Sequence, residues 1–157
     1  MIQRIQSIFL AISAIAMFAM LFLPLWQKYN PETEQRALLT AIELSYTEGD
    51  EVKQHVYTFY IAIMAFVSSI ISVGSLFSYH NRMKQMKLNM INSLVMAITI
   101  GLTIYFLFEG EKMFEVSKQG QWGYGFFCVP IALFCNSIAN RFIRKDEKLV
   151  RSADRLR

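Results

Sequence analysis

His80-Asn81-Arg82-Met83-Lys84-Gln85-Met86-Lys87 separates two long uncharged apolar runs, 56–79 and 88–108. Each run matches a bilayer, because about 20 helical residues at ~1.5 Å rise cover a hydrocarbon core of ~30 Å. A connection this short makes the pair an antiparallel hairpin. It carries the cations Arg82, Lys84 and Lys87 and no acid, which the positive-inside rule reads as cytoplasmic. The orientation of the remaining chain follows from it.

At 157 residues the length suits one domain spanning 1–157. Hydrophobic residues make up 54% of the chain, little more than in an average soluble domain, so their distribution decides the class. They fall in four uncharged blocks, about 5–27, 56–79, 88–108 and 120–140, whereas the helices of a soluble bundle would each show a polar face. The expected fold is an all-α membrane protein: a four-transmembrane-helix bundle with a small β-hairpin in the extracytoplasmic loop 28–55 and a helical cytoplasmic tail over 141–157. With the hinge inside, eleven cations lie on the cytoplasmic side and five outside, while nine of the twelve acids lie outside. Both termini are then cytoplasmic. The first block runs too long for a signal-peptide core and ends in Leu23-Pro24-Leu25-Trp26 instead of a small-residue cleavage site, so it reads as an uncleaved span. Trp26 suits the interfacial aromatic belt.

Small residues line each block at helical spacing, among them Ser7, Ala11 and Ala14 in the first and Ala62, Ala65, Ser69 and Ser72 in the second. Such stripes let helices approach closely. Ser68, Ser72, Ser75, Asn92 and Asn136 form a candidate polar seam within the membrane. Packing is the simpler use of these residues, and a path or cavity for a lipid or small molecule is the alternative.

In the outer loop, Leu38, Thr40, Ile42, Leu44 and Tyr46 fall on one side and Glu43, Ser45 and Thr47 on the other, at the period of a strand. Glu48-Gly49-Asp50 reads as a turn and 51–57 as a returning strand, with a short amphipathic helix over 37–46 as the alternative. The second outer loop, 109–121, reads as a solvated connection, with Trp122 and Tyr124 as interfacial anchors. In the tail, Arg144, Lys148, Arg151 and Arg155 recur at helical spacing and form a candidate basic face for anionic phospholipid or a protein partner.

Catalytic chemistry has no foothold in this pattern. The four blocks contain no Asp, Glu, Lys or Arg, and His55 and His80 bracket the second block on opposite sides. Cys128 and Cys135 stand about 10 Å apart along one helix, too far to bridge each other. No phosphate loop, zinc motif or nucleophile elbow occurs. The expectation is therefore a non-enzyme with no catalytic, cofactor or metal residues, no nucleic-acid partner, and an oligomeric state left open.

The opening Met1-Ile2-Gln3-Arg4-Ile5-Gln6, the Leu23-Pro24-Leu25-Trp26 end of the first block, the Asn81-Arg82 hinge and the closing 144–157 together resemble a family of small bacterial membrane proteins. This is the domain-of-unknown-function family four-two-nine-three of the Bacteroidota. The resemblance covers the whole length and implies a four-span protein of a Gram-negative inner membrane. It implies no activity and no catalytic residue. The expected role is a scaffold or accessory subunit that engages anionic lipid or a protein partner through the basic tail.

Overall fold

The computed structural model describes residues 2–31, 33–49, 51–114 and 120–154, the side chains of 2–4 and 151–154 excepted. In chain order the elements are α1 (Ile2–Ala19), β1 (Trp26–Asn30), β2 (Gln35–Leu39), β3 (Glu43–Glu48), β4 (Glu51–Tyr57), α2 (Phe59–Phe77), α3 (Arg82–Lys112), β5 (Gln121–Trp122) and α4 (Tyr124–Asp154). The all-α expectation is thereby corrected. Four helices carry a five-stranded antiparallel sheet of order β4-β3-β2-β1-β5. The four-span expectation is corrected as well. Three helices are long and apolar enough to cross a membrane, Phe59–Phe77, Arg82–Lys112 and Tyr124–Val150, whereas the apolar stretch of α1, Ile5–Ala19, is shorter.

Pro24 explains why the first block divides. It offers no N–H and drives the preceding residue toward extended backbone, so the hydrophobic run continues as chain and then as strand. Leu25 N donates to Leu39 O at 2.8 Å, and Trp26 pairs with Leu39 on one side and Trp122 on the other. Trp26 is 1% exposed and belongs to the core, so its reading as an interfacial anchor is corrected too.

The expected strand over 38–46 is two strands. Thr40 folds the chain back: its hydroxyl accepts from Ile42 N and Glu43 N, and its own N–H donates to Glu43 O at 2.8 Å. The turn also resets which residues face inward. β2 buries Ala37 and Leu39 while β3 buries Leu44 and Tyr46, so the set expected on one side divides, with Leu38 and Ile42 exposed. The second outer loop is likewise ordered at its ends, with 109–112 in the last turn of α3 and 121–122 in β5; Glu115 and Lys118 lie outside the described residues.

The sheet stands on the helices by its strand ends. Thr58 N donates to Ile42 O and Ala62 N to Ala41 O, which seats the β2–β3 turn on the start of α2. At the far end, Gly49 N donates to Glu34 O at 3.2 Å. The strands therefore run outward from the helix layer. α3, with 31 residues against 19 in α2, is long enough to follow them. Its final turns pack on the inner face of the sheet: a Cβ on Gly110 would lie 2.9 Å from the Trp26 ring, and Tyr46 meets Phe114 edge-on at 5.4 Å.

Below the sheet, α1 lies against α2 and α4, α2 against α3, and α3 against α4. The hinge is a turn closed by Asn81, whose side chain caps α3 by accepting from Lys84 N at 3.0 Å. This layer buries a set of polar side chains among its apolar ones and presents an apolar exterior. Ser68, Ser72, Ser75, Asn89, Asn92, Thr99 and Asn136 are each 0% exposed, while Ile63, Phe66, Ile70, Met90, Leu94 and Phe134 face outward. An apolar exterior over a partly polar interior suits a solvent of hydrocarbon chains.

Candidate functional site

Two clusters gather the residues with chemical potential, one inside the helix layer and one at its hinge end. Inside, the candidate seam residues do meet. Ser68 Oγ donates to Asn92 Oδ1 at 2.7 Å, and Asn92 Nδ2 donates to Ser72 Oγ at 2.8 Å. Ser72 Oγ lies 3.4 Å from Ser13 Oγ, where either hydroxyl can donate. Ser75 Oγ donates to Asn89 Oδ1 at 2.5 Å, and Asn136 Nδ2 donates both to Asn89 O at 2.8 Å and to Ser93 Oγ at 2.9 Å. The seam thus joins all four helices, since Ser69 Oγ also reaches Ala14 O on α1 at 3.1 Å.

Helical spacing explains the assembly. Ser68, Ser72 and Ser75 fall on one face of α2, and Asn89, Asn92 and Met96 fall on the face of α3 turned toward it. The side chains bond chiefly to one another, although Asn89 Nδ2 and Asn136 Oδ1 have no partner within the protein. Ser13, Ser69, Asn89 and Ser93 are members that sequence reasoning left out. Asn89 stands three residues before Asn92 and so carried a readable signal, whereas Ser13 sits in an apolar run where its partner shows only after folding.

At the hinge end, α4 continues past the helix layer without a break to Asp154. Arg82 anchors it, reaching Asp146 Oδ2 at 3.0 Å and the Asp146 backbone oxygen at 3.3 Å. Arg141, Arg144, Lys145 and Lys148 are exposed on this extension, and Lys84 and Lys87 are exposed nearby on α3. Of the candidate basic face, Arg144 and Lys148 are therefore placed. Arg151 is in the helix with its side chain undescribed, and Arg155 lies outside the described residues. The turn and the extension enclose an open concavity of about 540 Å³ lined by Tyr79, His80, Asn81, Arg82, Met83, Glu147 and Val150.

A third feature was hidden in the outer loop. Lys28 points inward from β1, only 6% exposed, with its ammonium 2.6 Å from Glu111 Oε2 and 4.7 Å above the Phe114 ring. The other oxygen of Glu111 accepts from Gly120 N at 3.0 Å. This ion pair fastens the sheet to α3. Outside it, Lys53 and His55 on β4 pair with Glu48 and Glu43 on β3. The hydrogen bond from Lys53 holds the Glu48 carboxyl below its usual range, and the same contact holds Lys53 above its own. Among the described residues, no three His, Cys, Asp or Glu side chains gather as a metal ion would require.

These features define an α+β protein with an upright sheet on a helix layer, three of whose helices are compatible with crossing a membrane. The family described as Domain of unknown function (DUF4293) matches residues 2–156, and the chain belongs to it. No curated protein matches the chain.

Proposed function

We propose that the protein is a non-enzymatic integral protein of a bacterial inner membrane, a scaffold or accessory subunit whose basic end engages anionic phospholipid headgroups. In this reading the hinge and the far end of α4 face the cytoplasm and the sheet faces the opposite compartment. The observation that carries the reading is the Arg82–Asp146 anchor. It spends one cation on holding the α4 extension against the hinge and leaves six others, Lys84, Lys87, Arg141, Arg144, Lys145 and Lys148, exposed on the hinge-side turns of α3 and α4. A cation near an anionic leaflet contributes about 1 kcal/mol, so a fixed group of them gives useful retention of such lipids. The polar seam, bonded across all four helices, then holds the helices in register.

The test is native mass spectrometry of the full chain released from nanodiscs of mixed phosphatidylglycerol and phosphatidylethanolamine. R144Q/K148Q should reduce retained phosphatidylglycerol while insertion persists, because the hinge keeps Arg82, Lys84 and Lys87 and has no acid. Unchanged lipid retention overturns the reading. So does loss of a co-purifying protein with lipid retention intact, which would make the basic face a protein-docking element.

A further inference from the structure

The hinge-side part of the helix layer buries amide groups that the protein's own atoms leave unsatisfied. Asn89 Nδ2, Asn136 Oδ1, Asn140 Oδ1 and Gln6 Nε2 are all shut away from solvent and have no hydrogen-bond partner. Asn89 and Asn136 are 0% exposed and Gln6 is 5% exposed. All four belong to the hinge-side turns of α1, α3 and α4. Asn136 touches the Asn89 backbone at 2.8 Å, and Asn140 follows one turn further along the same face of α4. On α1, Phe9 stacks on Phe142 at 6.1 Å, which sets Gln6, one turn nearer the chain start, beside the same end of α4.

An orphaned amide in a dry apolar layer carries its full desolvation cost. Four in one region call for a ligand, and their chemistry specifies it. Two are donors and two are acceptors. The one buried charged side chain among the described residues, Lys28, lies at the sheet end of the molecule. A cation would meet the two N–H groups unfavourably and an anion the two carbonyl oxygens. A neutral molecule that both donates and accepts suits the set, and water is the smallest.

We propose that the hinge-side part of the helix layer binds a small cluster of ordered water held by Asn89, Asn136 and Asn140, with Gln6 at its margin. The cluster ends where Asn92 begins, because both ends of that amide are taken by Ser68 and Ser72. The dry barrier of the layer therefore starts at Asn92, and the layer beneath it is hydrated.

The full chain in nanodiscs, with asparagine side chains labelled by ¹⁵N, provides the test, and Asn92 is its internal control. The Asn89 side-chain amide should show a magnetisation-transfer peak to water and exchange with deuterium at least about tenfold faster than that of Asn92. Equal protection at the two residues overturns the proposal. So does an Asn89 amide shift that titrates with sodium or potassium, which would make the ligand a cation. As a second arm, Asn140→Leu should lower the thermal midpoint by removing a water ligand. A raised midpoint would show that its oxygen was dry and costly, and would also overturn the proposal.

Discussion

Replacing Asn92 with alanine removes the one side chain that joins α3 to two serines of α2. Ser68 Oγ loses an acceptor at 2.7 Å, and Ser72 Oγ loses a donor at 2.8 Å, keeping only its longer contact with Ser13. Buried hydrogen bonds contribute about 0.5–1.5 kcal/mol each in net terms, and those between membrane helices average nearer 0.6 kcal/mol. Ser68 can recover part of its loss by turning to a carbonyl of its own helix, as Ser78 does with Gly74 O at 2.7 Å. The truncated side chain also leaves a small void, at a cost of up to about 1 kcal/mol. The expected loss is about 2 kcal/mol, read by reversible unfolding in mixed micelles or by steric trapping in bicelles. A double-mutant cycle separates the bond from the void. Asn92→Ala and Ser68→Ala should couple by about 1 kcal/mol, whereas Asn92→Ala and Ser75→Ala should add, because Ser75 bonds to Asn89 instead. Additivity in the first pair, or equal coupling in both, would refute the seam as a set of specific bonds.

Gly123→Ala places a Cβ 2.1 Å from the Pro24 backbone oxygen and should cost about 3 kcal/mol, while Gly101→Ala, with nothing within 4 Å, should be neutral or stabilising; thermal melts of the two variants side by side check this. Lys28→Met leaves Glu111 with only the Gly120 N–H. Because that carboxylate is 27% exposed, the loss should be about 1–3 kcal/mol, below the ~3–5 kcal/mol of a fully buried break, and the double change K28M/E111M should recover most of it in the same melts. The Glu48–Lys53 contact adds a pH dependence to the sheet. Glu48 is held below its ordinary value, so its contribution is present above that value and fades as pH falls through the lowered one. Lys53 is held above its ordinary value, so its contribution is complete below that value and is lost as pH rises through the raised one. Glu48→Gln should flatten the acid limb of a melting-temperature profile, and an unchanged limb would remove the pair from the account.

The hinge was legible because charge and spacing are local: three cations in eight residues between two uncharged runs leave little choice of arrangement. The sheet was legible only in part, for the opposite reason. Period-two alternation over 38–46 signalled strand correctly, yet one threonine hydroxyl bonded to two backbone N–H groups splits that strand, so Leu38 and Ile42 are exposed while Leu44 and Tyr46, expected on the same side, are buried. β1 was concealed because its buried Trp26 extends the hydropathy of the helix before it. β5 is two residues long and exists through pairing with β1, about a hundred residues earlier, so no window of local sequence contains it. Lys28 gives the sharpest case. Counted as an outer-loop cation, it reads as solvated, and only the strand that turns it inward and the α3 extension that brings Glu111 beneath it make it structural. The seam lies between these cases. Serine and asparagine spacing located its α2 and α3 faces, while Ser13 and Ser93 joined through helix pairings that periodicity does not specify. Local pattern thus marked which side chains avoid lipid, and the chain's long-range pairings determined that they bond chiefly to one another.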